Sequence, residues 1–485
     1  MASSTLHTVT LSPLDQYMPR IYTNLFLVFE TPDPALAVDR LRAGLQKLNQ
    51  HLPYLKGRVF VADRARLAIR WSAADEDVKL QETHTNGVAL PGMSFKQLSQ
   101  EGAPPHYFKP CLTPLPRVTD FASNPEASVF AANFTLLDGG LVVGLSIQHN
   151  VIDGTGVAEL IRFWADCAST SSTQLNAAAA PDPEEPLHRD RLLRLATEQT
   201  TPEVEKEEPQ PQTPSLHGLL AKHPEFTLSA TTTSSPHPPT PPLLPKGTSK
   251  IFTFSTSKLA KAKASLLTLT PQTTTITTNS VLCAITWSCI TRIRLGRRQR
   301  EGGGHDQETH SQSKLGFAIN GRTRLPPQFL MERPFLGNVN LYGLAEIRLE
   351  DLERAANGDV DSLAAVVQAI DDAVGRVTPA HIGEVIQLVD RVPDTRGLLP
   401  GWNSVHGDDA TVTSWANMGV YDADFGEAVG APRFMRVPES ETDGFLIVLP
   451  RQRGPAERGI EVVAAMHPED MKALERDVVW GSYLV

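Results

Sequence analysis

The residues best suited to chemistry lie in one short stretch, His149-Asn150-Val151-Ile152-Asp153-Gly154-Thr155-Gly156. An imidazole with an ordinary pKa of about 6.5 accepts a proton at neutral pH, so a histidine held rigidly beside a cleft is suited to general-base work. Asp153 shares the same tight loop, from which it can turn back onto the loop backbone or pair with an arginine. Gly154 and Gly156 permit positive φ or a close backbone approach. Taken alone, His-x-x-x-Asp-Gly fits equally a core histidine followed by an inert turn.

The flanking elements give the stretch its context. Residues 128–137 read as a strand, Asp138-Gly139 as a hairpin turn, and residues 141–148 as the returning strand. Beyond the loop, Val157, Leu160, Ile161 and Trp164 recur on one helical face. His149 therefore closes a strand, and residues 150–156 lead into a helix. Upstream, residues 21–29 read as a strand and residues 35–51 as a helix (Leu41, Leu45, Leu48) stopped by Pro53 and Gly57. Downstream, strands are expected at 250–254 and 315–319, and helices at 257–268, 278–292 and 360–377. Strands interspersed with helices in both halves indicate an α/β protein.

The two halves flank a stretch of biased composition, residues 169–247. It holds the acidic run Glu203-Val204-Glu205-Lys206-Glu207-Glu208 and the proline run Pro236-His237-Pro238-Pro239-Thr240-Pro241-Pro242. Dense proline removes backbone donors, and little apolar surface is left to pack. The division read from this is residues 1–185, a Pro/Thr/Glu-rich linker at 186–247 with a short helical piece at 189–197, and residues 248–485. Residues 297–313, with Gly302-Gly303-Gly304, read as an exposed loop.

Composition narrows the class. Of 485 residues, 41% are hydrophobic and 21% charged, with a formal net charge of −10, so no basic field favours nucleic acid or an anionic membrane. Cys111, Cys167, Cys283 and Cys289 lack zinc-ligand spacing and read as reduced thiols, with no metal set. No basic, apolar leader and no apolar run of membrane-spanning length is present, which gives the expectation of a soluble cytoplasmic protein, by default a monomer.

Residues far from His149 extend the pattern. Thr413-Ser414-Trp415 leads into Asp424-Phe425-Gly426; Leu11-Ser12-Pro13-Leu14-Asp15 lies near the start; and Asn320-Gly321-Arg322-Thr323-Arg324-Leu325 precedes Phe335-Leu336-Gly337-Asn338. With His149, Asp153 and Gly154, these segments resemble, in order and across nearly the whole chain, the BAHD-type acyl-CoA-dependent acyltransferases, in particular their fungal branch. One departure stands out: the family's Asp-Phe-Gly-Trp-Gly becomes Asp424-Phe425-Gly426-Glu427-Ala428-Val429-Gly430, without the tryptophan. Gln148 before His149 separates the chain from peptide-synthetase condensation domains, which share the fold and carry two adjacent histidines.

The resemblance implies two similar chloramphenicol-acetyltransferase-like domains, each a mixed sheet with helices, and a channel at their interface open from both faces. It implies His149 as general base, Trp415 and Thr413 near the developing oxyanion, and Asp153 as a scaffold pointing away from the ring and pairing with an arginine. Gly154, Asp424, Phe425 and Gly426 belong to structural motifs, and Arg324 and Asn338 match structural landmarks. Trp415 also fits plain packing. Lys258, Lys261 and Lys263 are candidates for the coenzyme A phosphates, or else a solvated basic helix face. The implied activity is direct acyl transfer, acetyl for preference, from acyl-CoA as co-substrate to a hydroxyl of a small secondary metabolite. No covalent enzyme intermediate and no tightly bound cofactor are expected. The alternatives are N-acylation, release or cyclisation of a carrier-bound chain, and a non-catalytic ligand-binding relative.

Overall fold

A computed structural model describes residues 5–83, 90, 92–169, 180–194, 214–229, 247–269, 275–301, 311–329, 332–405, 407–440, 442–452 and 459–485. The first half is built on a five-stranded sheet. Strand Gly140–Gln148, buried at every position, lies between Tyr22–Glu30 and Phe130–Leu137 and pairs antiparallel with both. The hairpin expected from Asp138-Gly139 is present, with Gly139 at φ +69°. Helices Pro34–His51 and Gly154–Ser169 cover one face. Asp33 caps the first by accepting the Leu36 amide at 3.0 Å, and Trp164 Nε1 of the second donates to the Leu41 carbonyl of the first at 3.2 Å.

The second half carries a six-stranded mixed sheet in the order Thr248–Phe254, Ile460–Met466, Phe445–Val448, Ala410–Ser414, Gln312–Asn320, Asn340–Arg348. Its main helix, Thr278–Arg300, is buried along most of its length. The helix runs on past the expected end at residue 292. Residues 297–313, expected as an exposed loop, therefore begin in this helix, where Arg297 pairs with Asp470 at 2.9 Å, and end in strand Gln312–Asn320. A charged last turn that finds carboxylate partners reads as a loop in the sequence and folds as a helix end.

The halves also trade segments. Leu14, Tyr17 and Met18 join the core of the second half, whereas Phe425, Val429 and Met435 join that of the first. Strand Phe434–Arg436 adds to the first-half sheet by pairing with Tyr22–Glu30. Residues 186–247, expected as a linker, contain much of the 3-10 helix Glu185–Leu193, helix Leu216–Lys222 and strand Phe226–Leu228, which pairs with Leu398–Pro400. Composition averaged over the whole stretch hid the buried Leu192, Leu219 and Phe226. The acidic and proline runs, and positions 195–197 of the expected helical piece, lie outside the described residues. Among the described residues no helix is long and apolar enough to cross a membrane.

Candidate active site

His149 leaves the end of strand Gly140–Gln148 with its amide still bonded to the Ile21 carbonyl at 3.0 Å. Its carbonyl accepts from Asn338 Nδ2 at 2.9 Å. The same Nδ2 donates to Asp15 Oδ1 at 2.8 Å. Asn150, fully buried, donates to the carbonyls of Asp15 (2.8 Å) and Met18 (2.9 Å). Asp15 is itself set by a capping box with Ser12, and its other oxygen pairs with Arg189 Nη1 at 3.0 Å. Buried Arg189 also donates to Glu185 and to the Val151 carbonyl, each at 2.7 Å. Main chain on both sides of the histidine is thus anchored from both halves.

The ring is half-buried. Nδ1 is fully buried with no partner in hydrogen-bonding geometry, so the accessible part of the ring, with Nε2, faces the cavity that His149 lines. Burial lowers the imidazole pKa below its usual value, outweighing the opposing influence of its own carbonyl, Asp153, Asn338 and Asp15. The ring is consequently neutral at physiological pH and able to accept a proton.

Asp153 turns away from the ring. Oδ1 accepts from the Gly156 amide (2.9 Å) and Arg322 Nη2 (2.9 Å), and Oδ2 from Arg322 Nη1 (2.8 Å) and the Val339 amide (3.0 Å). Arg322 continues to the carbonyls of Phe335 and Gly337 at 3.0 and 2.6 Å. The pairing arginine is therefore Arg322; Arg324 instead donates to the Val374 and Val377 carbonyls at the end of helix Val360–Arg376. The loop glycines serve close approach. A Cβ on Gly156 would stand 2.0 Å from the Leu336 carbonyl oxygen, and one on Gly154 would stand 2.5 Å from Met418 Cε and 3.7 Å from Trp415 Nε1. Phe335 sits between the guanidiniums of Arg189 and Arg322, at 5.9 and 5.7 Å. The 11–15, 320–325 and 335–338 segments thus converge on one loop.

Thr413 and Trp415 line the same cavity as His149, a space of about 640 Å³ between the halves. Thr413 lies in strand Ala410–Ser414 and Trp415 follows directly after it, with the Trp415 amide bonded to the Val448 carbonyl at 2.8 Å. The walls are aromatic and apolar, with Tyr22, Phe317, Tyr342, Trp402 and Phe445. A second cavity of about 540 Å³ shares Thr155, Asn320, Ser414 and Met418 with the first, and is otherwise lined by residues including Thr277, Thr278, Asn279 and Arg451. The two cavities adjoin at these shared residues, and His149 lines the larger one.

Lys258, Lys261 and Lys263 line neither chamber. They ride on helix Thr256–Leu267, where Lys258 reaches the Leu484 carbonyl. The cation that lines the smaller chamber is Arg451. Asp424, Phe425 and Gly426 lie behind helix Gly154–Ser169. Phe425 is buried edge-on against Phe29 (5.3 Å) and Trp164 (5.6 Å), and Gly426 adopts φ +91°. Glu427, in place of the family's tryptophan, is exposed, while Val429 fills the core. The thiols of Cys167, Cys283 and Cys289 are pushed up to about 12 by burial, so none is a ready nucleophile.

Sequence reasoning missed Arg189, Arg322 and Asp15 as supports of His149. Arg322 and Asp15 stood inside the recognised segments, whereas Arg189 lay in supposed linker.

Residues 2–479 match the Transferase family, and the chain belongs to it, the BAHD family of its sequence motifs. It is similar to trichothecene 8-O-acetyltransferase of Fusarium sporotrichioides, at 32% identity over 98% of each chain. It is also similar to the O-acetyltransferase ptmV of Penicillium ochrochloron, at 24% identity over 100% of this chain and 98% of that one. In fold it is similar to F. sporotrichioides TRI101 complexed with coenzyme A and T-2, with TM-score 0.73, 18% identity and 99% of both chains covered. Vinorine synthase gives TM-score 0.58 at 17% identity, covering 96% of this chain and 91% of that one.

Proposed function

We propose that the chain is an acyl-CoA-dependent O-acyltransferase that moves an acetyl group to a hydroxyl of a compact, multi-ring metabolite, with His149 as general base. The observation that carries this reading is an imidazole with a lowered pKa facing the larger of two adjoining cavities, with its neighbouring carboxylate drawn off onto Arg322. The larger, aromatic chamber suits the acceptor. The smaller suits coenzyme A, since Thr278 and Asn279 open helix Thr278–Arg300, whose N-terminal dipole favours phosphate. The named acetyltransferase relatives support acetyl over longer chains.

In the reaction, His149 Nε2 takes the acceptor hydroxyl proton as the oxygen attacks the thioester carbonyl carbon. The carbonyl oxygen gathers negative charge, for which the Trp415 indole N–H and the Thr413 hydroxyl are the donors at hand; one such donor is worth roughly 3–4 kcal/mol. Collapse breaks the C–S bond, and His149 returns the proton to the departing thiolate. The thioester arrives activated, so no enzyme nucleophile is needed. Both chambers are formed within one chain, which supports a monomer, and the reading places it in the cytoplasm.

The test is thiol release from acetyl-CoA with a panel of hydroxylated polycyclic acceptors that includes trichothecenes, followed by mass identification of the ester. An O-acetyl product from at least one acceptor is expected. Amide products alone from an amine panel would overturn the O-acyl reading.

A further inference from the structure

Outside the reaction site, one cluster combines metal-ligating side chains with deep burial. His223 ends helix Leu216–Lys222, its amide bonded to the Leu219 carbonyl at 3.1 Å, and Glu225 follows two residues on. His381 and Glu384 stand one turn apart on helix Pro379–Arg391. His223 Nδ1 lies 3.0 Å and His381 Nε2 3.1 Å from Glu225 Oε1. All three atoms fall within 4.8 Å of one another. Ligand atoms bound to tetrahedral zinc at about 2.0–2.1 Å stand roughly 3.3–3.4 Å apart, so the three side chains already converge on an ion-sized point. Their side chains are 1% (His223), 6% (Glu225) and 15% (His381) exposed.

Hydrogen-bond accounting points the same way. His223 Nδ1 is in hydrogen-bonding geometry with Glu225 Oε1 at 3.0 Å, whereas its buried Nε2 lies 3.2 Å from Glu384 Oε2 without a hydrogen-bond partner; an ion on Nδ1 would shift the ring proton to Nε2, facing Glu384. A carboxylate behind a histidine in this manner is the usual outer support of a metal-bound imidazole. His381 Nε2 has no accessible surface and no partner in hydrogen-bonding geometry. Among the described residues the ion-pair partners of Glu225 are these two histidines; Lys222, the nearby amine, pairs with Glu384 at 2.7 Å. A buried carboxylate is costly unless positive charge accompanies it.

We propose that His223, Glu225 and His381 bind a divalent transition-metal ion, zinc by its preference for nitrogen and oxygen donors, with Glu384 as outer support. The site clips the 214–229 segment onto helix Pro379–Arg391. Its effect is structural: neighbouring Phe226 packs on Tyr17 (5.3 Å) and Tyr342 (5.7 Å), and Tyr342 lines the larger chamber. Two of the ligands lie in sequence read as linker, which is why no metal set was expected.

The test uses the full chain without a polyhistidine tag, stripped with chelator and titrated with zinc. The expected result is one equivalent of zinc per chain that survives desalting and raises Tm, absent in His381→Ala. Glu384→Gln should weaken zinc affinity by about 10–100-fold. Cobalt titration of the wild-type chain reads the site without any variant, and one equivalent with a four- or five-coordinate absorption spectrum is expected. No retained zinc and a purely aqueous cobalt spectrum in the wild-type chain would overturn the proposal. So would equal zinc binding and equal Tm shift by folded His381→Ala.

Discussion

Asp153→Asn probes the loop that carries His149. The side chain accepts from two amides and both terminal nitrogens of Arg322, and is 4% exposed against 17% for Arg322. Removing one partner of a buried ion pair costs about 3–5 kcal/mol. The asparagine keeps one acceptor, and Arg322 keeps its bonds to the Phe335 and Gly337 carbonyls, so the expected loss falls below that range, at ~2–3 kcal/mol. Urea unfolding at constant slope reads this as a lower midpoint. Arg322→Gln should cost a similar amount, and the double variant less than the sum, because the partners share one interaction. The midpoint of the pH–rate profile should move slightly downward at most, since Asp153 is a secondary influence on the imidazole. A variant as stable as wild type whose rate collapses with a displaced pH midpoint would show Asp153 acting on the ring, and the scaffold reasoning would fail.

Other outcomes follow from the same geometry. Gly156→Ala drives a Cβ into a backbone oxygen, whereas Gly154→Ala meets the mobile end of Met418; the first should cost at least about 1–3 kcal/mol in unfolding and the second clearly less. Trp415→Phe keeps an aromatic ring but removes the indole N–H, so kcat should drop by about 10²–10³ with a small change in stability; a stability loss with unchanged kcat would leave a packing role only. Because burial lowers the His149 pKa, the ring stays neutral as pH falls to its folded pKa. Activity should therefore be flat around neutrality and fall only on the acid side of about 6.5. An acid limb centred above that value would contradict the assignment.

The local elements around His149 were legible because they rest on local rules. The Asp138-Gly139 turn and the one-sided apolar helix after Gly156 left few alternatives. Strand Gly140–Gln148 is buried at every position, its polar Ser146 and Gln148 included. What escaped was non-local. Nothing in residues 420–437 says that they cross to the first-half sheet, and nothing near Arg189 says that it reaches Asp15 across the chain. The recognised segments marked the right places without giving their roles: Arg322 rather than Arg324 takes Asp153, and Asn338 holds the His149 carbonyl. Charge at helical spacing suggested Lys258, Lys261 and Lys263, which line neither of the two cavities.

The central claim is that His149 moves the acceptor's proton. The direct measurement is kcat for acetyl transfer by His149→Ala and His149→Gln beside the wild-type chain, across pH, with coenzyme A affinity and unfolding midpoint measured on each. The account predicts a fall of about 10²–10⁴ in kcat, loss of the acid limb, and unchanged coenzyme A binding and fold. Folded variants that transfer acetyl at the wild-type rate with the same pH profile would contradict it.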